Sequence, residues 1–528
     1  MPFATTHCVA LDGATGHLID VQADVSAGQV ATVLVGRPDA ALSESKDRCR
    51  MAVINSGFSW PNTRRTTILL SPADLPKRGT HFDLSIAVAV LGALDAVPPE
   101  SLEDTAFIGE LALSGGLRSV RGVLPMVLAA RERGVVRVFV PEPQVGEAVL
   151  AGGVEVIGMR SLRQVAAELC GDDVPDAPPV AAMSGSRLLA WRGHDRLDDV
   201  DMADVRGMLD ARFAAEVAAS GGHHLLLSGP KGSGKTTLAE RVPGLLPDLT
   251  REEAIELTAL HSLAGALEPG DGMLTRPPYA APHHDASKAA LVGGGSGQVR
   301  PGEISRSHCG VLFMDEFPLF RTDVIDALRE PLESGDITIA RAEESVTLPA
   351  RSLVVLAANP CPCGNFQVTA SRSKCNCAET QRRSYQARVR GPITDRIDIT
   401  RHLVPLTAAS VDDLNRPEDT AAIRSRVEAA RLRQEERYAG EGWRLNGQTP
   451  GPALRDRWPL AKAAQTMLDQ RMFAGRITQR GAVRVHRLAW TLADLTGLER
   501  PGLAEVDVAL RLRSGEPLDI GTVTRRVG

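Results

Sequence analysis

Apolar and polar positions divide the chain into three unequal blocks. In residues 1–170, runs such as VATVLVG, TTILLSP and VRVFVPE have the length and β-branched content of strands, whereas FDLSIAVAVLGAL and VLPMVLAARERG are long enough for helices. The two kinds of run alternate, which predicts a compact α/β domain. The periodicity stops at GDDVPDAPPVAAMSGS, and residues 171–187 read as a linker. It resumes in LDDVDMADVRGMLDARFAAEVAAS, whose helical spacing opens a second block, residues 188–405. The third block, residues 406–528, is dominated by helical periods rich in arginine, such as IRSRVEAARLRQEERY and RGAVRVHRLAWTLADL, and predicts an α-helical domain. The longest apolar-rich stretch, LSIAVAVLGALDAV, is too short to span a bilayer. The N-terminus MPFATTHCVALDGATG lacks the basic segment and apolar core of a signal peptide. These features lead us to expect a cytoplasmic protein with no membrane partner.

Bulk composition removes some alternatives. Of 528 residues, 43% are hydrophobic and 24% charged, which excludes a chain disordered throughout. A net charge of −5 leaves no overall basic footprint. Contact with nucleic acid would need a local basic surface, or one repeated around a ring of subunits.

Candidate chemistry is concentrated in the second block. In HHLLLSGPKGSGKTTLAERV an apolar strand runs into Gly229, Pro230, Lys231, Gly232, Ser233, Gly234, Lys235, Thr236 and Thr237, followed by a helix-like segment. This is a GxxxxGK[ST] loop in the strand–loop–helix context it requires. Its glycines let backbone N–H groups turn toward phosphate oxygens at a helix N-terminus. Lys235 is expected on the β- and γ-phosphates of ATP, and the Thr236 hydroxyl on Mg²⁺. About 80 residues later, GVLFMDEF ends an apolar strand with Asp315 and Glu316. Asp315 is expected to support Mg²⁺ and Glu316 to polarise the attacking water, with adjacent side chains pointing in different directions. A third strand, SLVVLAANP, ends in Asn359, within reach of a γ-phosphate or that water. GPITDRID places Arg396 between two aspartates, and phosphoryl transfer is often assisted by an arginine from a neighbouring subunit.

In this order the motifs resemble an AAA+ ATPase, and most closely the magnesium-chelatase-like ATPases of the ComM (YifB) family. Besides the P-loop, the resemblance is carried by RPPYAAPHHDASKAALVGGGS, RPGEISRSHCGVLFMDEFP, LREPLESGDITIARAEESVTLPAR, AANPCPCG, GPITDRIDI and ITQRGAVRVHRLAWTLADL. It implies a P-loop AAA+ core with a parallel sheet, an N-terminal Lon-protease-like α/β domain and a C-terminal helical lid. PADLPKRGTHFDLSIAVAVL and GELALSGGLRSVRGVLPMVLAARERGV carry the Lon-like match. Against that pattern the catalytic Ser falls on His81 and the Lys on Leu124, so no peptidase activity is expected; Ser85 is a poor substitute. Carried over by position, Asn359 is the sensor-1 residue, Arg396 the arginine finger acting in trans, and Arg480 the sensor-2 arginine. Arg484 and Arg487 follow on the same helix and predict one basic face. Lys231 departs from the pattern, replacing a second proline usual in the P-loop, as do VRGM at 205–208 and Ala482-Val483 after the sensor-2 arginine.

The resemblance further implies a homohexameric ring motor on single-stranded or branched DNA, a helicase or translocase for branch migration in recombination or natural transformation. The alternative is a protein-remodelling or metal-chelatase-type ATPase acting on a protein partner. DITIARAEESVTLPAR reads as a β-hairpin with Arg341, Glu343 and Glu344 near its tip, and Arg341 is a DNA-contact candidate. Lys288 and Arg300 flank the glycines of LVGGGSGQVR, a second candidate pore loop that no strand is expected to feed. His283-His284 is read as structural or substrate-contacting rather than metal-binding. Finally, Cys361, Cys363, Cys375 and Cys377 form two Cys-x-Cys pairs between Asn359 and Arg396. They are either a closed Zn²⁺ site or reduced thiols, in both cases a clip bracing that stretch.

Overall fold

A computed structural model describes residues 3–181, 200–268, 270–295, 299–340, 345–366, 375–389, 391, 393–404 and 418–518. Arg341, Glu343 and Glu344 lie outside the described residues, as does the end of the expected linker.

The N-terminal block folds around a seven-stranded sheet. Its spatial order is Ala31–Val35, Arg65–Ser71, Thr15–Ser26, Phe3–Asp12, Thr105–Phe107, Arg137–Pro141 and Glu155–Met159. Phe3–Asp12 and Thr15–Ser26 form an antiparallel hairpin, and the last three strands run parallel to Phe3–Asp12. Gly13, at φ +60°, lets the hairpin turn tightly. The helix Asp83–Ala93 is buried at every residue, which explains why its sequence is apolar all round rather than amphipathic. His81 and Leu124, at the expected Ser and Lys positions, are core residues: His81 Nε2 donates to the Val9 carbonyl at 2.9 Å, and Leu124 is fully buried. The Ser85 hydroxyl is buried too, at 2.9 Å from that of Thr6.

The second block contains a five-stranded sheet, all parallel, in the order Tyr279–Ala280, Val311–Met314, Leu353–Ala358, Leu225–Ser228 and Ile399–His402. The central strand Leu353–Ala358 is buried throughout, as expected for a sheet covered on both faces. Leu225, Leu227, Val311, Phe313, Val355 and Ala357 join one core; Leu226, Leu312, Met314, Val354, Leu356 and Ala358 join the other. The period of two thus sorts the apolar side chains onto two faces. Helix Leu209–Gly221 covers the first face. It starts later than the sequence spacing suggested. Met202–Asp204 forms a separate 3-10 turn, and Gly207, at φ +66°, breaks the path between them.

Helices Thr420–Arg437, Lys462–Phe473, Gln479–Thr496 and Leu503–Ser514 make up most of the third block. They share a core with the first face of the sheet: Val427, Leu468, Val485, Leu488 and Val506 cluster with Leu225 and Val355. Polar bridges fix this docking. Arg426 forks onto Glu216 at 2.6 and 3.1 Å, and Gln434 Nε2 donates to the Ser220 carbonyl at 3.0 Å. Hairpin strands Asp336–Ala340 and Ser345–Pro349 pair antiparallel as expected. The glycine loop is preceded by a helix rather than a strand, as expected, but carries a short ladder that its sequence does not reveal. Helix Lys288–Val292 feeds a short ladder in which Gly293–Gly294 pairs with Arg300–Pro301. No helix among the described residues is long and apolar enough to cross a membrane.

Burial also sets an acid sensitivity. Desolvation holds the imidazoles of His81, His223, His224 and His486 down to about 4. Unfolded, each returns to a pKa of about 6.5. Between these values the unfolded chain binds more protons than the folded one. Stability therefore falls as pH drops below about 6.5, by about 1.4 kcal/mol per pH unit for each such histidine. A denaturation series from neutral to acidic pH is expected to show this fall, and a His81→Gln chain a shallower one.

Candidate active site

The P-loop strand Leu225–Ser228 is apolar because the sheet buries it on both sides. Beyond it the chain must turn without side-chain obstruction. Gly232 and Gly234 take φ +75° and +83°, and a Cβ on Gly234 would stand 2.8 Å from Met208 Cε. Helix Lys235–Ala239 starts there, so Lys235 leaves its first turn with its ammonium held by the Gly229 carbonyl at 2.8 Å, the Pro230 carbonyl at 2.9 Å and Asn359 Oδ1 at 3.0 Å. Burial lowers the Lys235 pKa, opposed by the carboxylates of Asp315 and Glu316.

Strand Val311–Met314 ends beside the P-loop strand's neighbour and delivers the two acids. The Thr236 hydroxyl donates to Asp315 Oδ2 at 3.1 Å, which joins a hydroxyl and a carboxylate suited to Mg²⁺. Glu316 sits at φ +49°, an uncommon left-handed conformation for a non-glycine residue, and its backbone N–H donates to Asp315 Oδ1 at 2.8 Å. Asn359 Nδ2 donates to Glu316 Oε1 at 2.8 Å. Asn359 thus bridges Lys235 and Glu316, and its own backbone N–H donates to the Tyr385 hydroxyl at 3.3 Å. Ser233 Oγ, buried in the loop, has no hydrogen-bond partner among the described residues. An orphaned hydroxyl in a turn of N–H groups fits an absent phosphate ligand. Thr237 is exposed and its carbonyl accepts from Arg241 Nη1 at 2.8 Å.

The two arginines taken from the resemblance lie elsewhere. In a parallel sheet the P-loop marks the C-terminal edge; Arg396 lies just before strand Ile399–His402, at the opposite edge. There Arg396 Nη2 is 2.8 Å from Glu333 Oε1, and Arg480 Nη1 is 3.6 Å from the same oxygen. Arg480, Arg484 and Arg487 do share one face of their helix, but two of the three are engaged. Arg484 pairs with buried Asp398 at 2.6 Å, and Arg487 Nε donates to the Thr449 carbonyl at 2.8 Å. Glu333, Arg480, Arg484 and Arg487 line a cleft of about 1100 Å³. Nothing in the motifs marks Glu333 or Tyr385, whose roles arise only from contacts distant along the chain.

The four cysteines come together. Sγ–Sγ distances are 3.3 Å for Cys361–Cys363 and 3.6 Å for Cys361–Cys375 and Cys363–Cys375, and these three sulfurs and that of Cys377 all lie within 4.8 Å of one another. A tetrahedron with Zn–S of about 2.3 Å has edges of about 3.8 Å. The donors fit zinc in kind, number and spacing. The turn between them touches the P-loop directly: the Lys231 N–H donates to the Gly364 carbonyl at 3.4 Å. A proline at 231 would lack this donor. His283, His284 and Asp285 also approach one another, but at largely exposed positions. Lys288 opens its helix at an exposed position, and Arg300 is exposed as well.

Gly364 has φ +77°, and a Cβ there would lie 2.6 Å from Lys231 Cγ. Gly364→Ala is expected to cost about 1–2 kcal/mol in backbone strain and to displace Lys231. Thermal unfolding and titration with nucleotide should show a lower midpoint and weaker binding.

Sequence models of magnesium chelatase match three parts of the chain. "Magnesium chelatase, subunit ChlI" covers residues 201–411, "Subunit ChlI of Mg-chelatase" residues 21–144, and "Magnesium chelatase, subunit ChlI C-terminal" residues 417–513. An uncharacterized protein of Mycobacterium tuberculosis (strain ATCC 25618 / H37Rv) is 44% identical over 97% of this chain and 99% of its own. YifB of Escherichia coli (strain K12), also uncharacterized, is 36% identical over 94% of both chains. Competence protein ComM of Haemophilus influenzae is 36% identical over 96% of this chain and 97% of its own. With the P-loop, the paired acids and the parallel sheet in place, the chain belongs to the ComM/YifB family of magnesium-chelatase-like AAA+ ATPases.

Proposed function

We propose that this protein is an ATP-hydrolysing ring motor acting on DNA in the cytoplasm, a helicase or translocase for branch migration in recombination or natural transformation. The observation that carries the reading is the division of the ATP machinery between two edges of one sheet. Lys235, Thr236, Asp315, Glu316 and Asn359 converge at one edge, while Arg396 and Arg480 stand together at the other. A complete site then needs two subunits, and a closed ring, here a homohexamer, gives every site both halves. The name of the competence protein relative supports transformation as the setting.

In this reading the backbone N–H groups of Gly232, Gly234, Lys235 and Thr236 cradle the phosphates, and Lys235 holds the β- and γ-oxygens. Thr236 and Asp315 would hold Mg²⁺, whose charge offsets that of the phosphates. Glu316 accepts the proton of the attacking water, and Asn359 keeps its carboxylate aimed at the γ-phosphate. Arg396 and Arg480 leave Glu333 and meet the charge developing in the neighbour's site. DNA passes through the ring against the hairpin residue Arg341 and the loop flanked by Lys288 and Arg300. Cys361, Cys363, Cys375 and Cys377 would hold Zn²⁺, which would close the clip between Asn359 and Arg396.

Steady-state ATP hydrolysis with and without forked DNA tests the motor. Turnover is expected to rise with DNA, the rise to vanish in Arg341→Ala, and Glu316→Gln to serve as a control that binds ATP without turnover. If forked DNA neither binds nor stimulates, the protein-remodelling alternative replaces this reading. Metal analysis tests the clip: one zinc per chain in the reduced wild type, lost in Cys375→Ser, with a metal-free wild type overturning it.

A further inference from the structure

The N-terminal block, without the Ser-Lys pair of a peptidase, is packed against both loops read as DNA contacts. Hairpin strands Asp336–Ala340 and Ser345–Pro349 alternate in burial: Ile337, Ile339, Val346 and Leu348 are buried, while Thr338, Ala340, Ser345 and Thr347 are exposed. A two-stranded hairpin alone is at best marginally stable, so its shape depends on what covers its apolar face. Part of that cover is the turn at Gly13. Turn tips ordinarily lie at the surface, but Gly13 is buried, and a Cβ on it would lie 2.7 Å from Val346 Cγ1 and 3.2 Å from Leu348 Cδ2. Val346 is directly opposite Ile339 in the hairpin, and a Cβ on Gly293 would stand 2.9 Å from Ile339 Cδ1. The N-terminal turn, the hairpin and the glycine-loop ladder therefore form one continuous stack.

A second contact joins the same two blocks. The Gly122 N–H donates to the Ser262 carbonyl at 3.3 Å, and the Ser262 hydroxyl donates to Glu147. Ser262 belongs to helix Arg251–Ala264, whose Ala259 joins the N-terminal core beside Val9 and Val123. The same helix packs against strand Arg300–Pro301. Leu11 takes part in both contacts. A Cβ on Gly122 would lie 2.6 Å from Leu11 Cδ1 and 3.1 Å from Leu263 Cδ2. Leu11 also lines a cavity of about 200 Å³ with Val346 of the hairpin and Val299, the residue before Arg300.

We propose that the N-terminal block is the seat of both DNA loops, with Leu11 as its central positioning residue, so that the block serves the grip on DNA rather than the ATP chemistry. The proposal rests on the DNA-motor reading. Because they share one stack, the hairpin and the glycine loop are held in register with each other. Loosening the seat leaves Lys235, Asp315, Glu316 and Asn359 in place, since the sheet that carries them is packed on two cores without N-terminal residues. The effect falls instead on the alignment of the loops with DNA, and a binding site whose supporting residues are loosened loses its geometry.

ATP hydrolysis titrated with forked DNA tests it on the full-length protein. Leu11→Ala is expected to raise the half-saturating DNA concentration several-fold, with turnover in the absence of DNA unchanged. Leu11→Met should restore the wild-type response. Val53→Ala, in helix Ser45–Asn55 on the N-terminal core, controls for lost stability and should lower the thermal midpoint while keeping a wild-type DNA response. If Leu11→Ala does not fold, Leu11→Val carries the same readout with smaller amplitude. A wild-type DNA response in the Leu11 variants overturns the seat and leaves the motor standing. Equal impairment of Leu11→Ala and Val53→Ala overturns it as a loss of stability, and a fall in DNA-free turnover overturns it as an effect on the ATP site. A wild type that neither binds DNA nor responds to it removes the motor and the seat together.

Discussion

A parallel sheet has two unlike edges, and the rest of this molecule follows from that constraint. Every strand of the five-stranded sheet ends at the same edge, so the residues that follow the strands converge there. The loop after Ser228, the acids after Met314 and Asn359 after Ala358 meet without long connections. The same geometry prevents residues that precede a strand from reaching that edge. Arg396 precedes strand Ile399–His402 and is therefore committed to the other side. Hydrogen bonds join Lys235, Asn359 and Glu316 at that edge, beside the P-loop. Arg396 and Arg480 share Glu333 at the opposite edge, where the proposed reading keeps the arginines for a neighbouring subunit.

The two edges are mechanically joined. Buried Asp398 accepts the His224 N–H at 3.0 Å, at the start of the P-loop strand, and pairs with Arg484 at 2.6 Å, one turn after Arg480. Its pKa is pulled down by Arg484 and by His223 and His224, against a desolvation effect that raises it. Arg484 Nε also donates to the Asp395 carbonyl at 3.1 Å, one residue before Arg396. One carboxylate therefore ties together the P-loop strand, the turn carrying Arg396 and the helix bearing Arg480. Breaking a buried pair of this type costs about 3–5 kcal/mol, so the unit moves as a body rather than piece by piece. The shared core of sheet and C-terminal helices points the same way.

How much of this is legible in the sequence depends on distance along the chain. The P-loop, the acid pair and Asn359 are legible because each is a strand followed at once by its functional residue. The hairpin is legible from alternation on either side of a polar tip. Helical periodicity shows that Arg484 and Arg487 share a face, which lines a cleft with Arg480, but not what each guanidinium meets; here they meet Asp398 and the Thr449 carbonyl. Glu333 and Tyr385 stay hidden because their partners lie many residues away, and nothing in their own neighbourhood marks them. The glycine loop looks unsupported because its ladder is only two residues on each side, too short to leave a period.

The cysteine turn shows how a local feature acquires its meaning from packing. By sequence it is a clip between Asn359 and Arg396. In the fold it also lies on the P-loop, through Lys231 and Gly364, and it leads into the helix Glu379–Val389 whose Tyr385 receives the Asn359 N–H. Four sulfurs within 4.8 Å bring both ends of that stretch together. Local order of this kind is needed because a hydrogen bond aimed at a γ-phosphate tolerates little displacement. The residue that departs from the family's P-loop pattern, Lys231, is the one that faces this turn and supplies an N–H that proline cannot. The departure and the clip are therefore parts of one contact, by which this chain steadies its phosphate loop from the side.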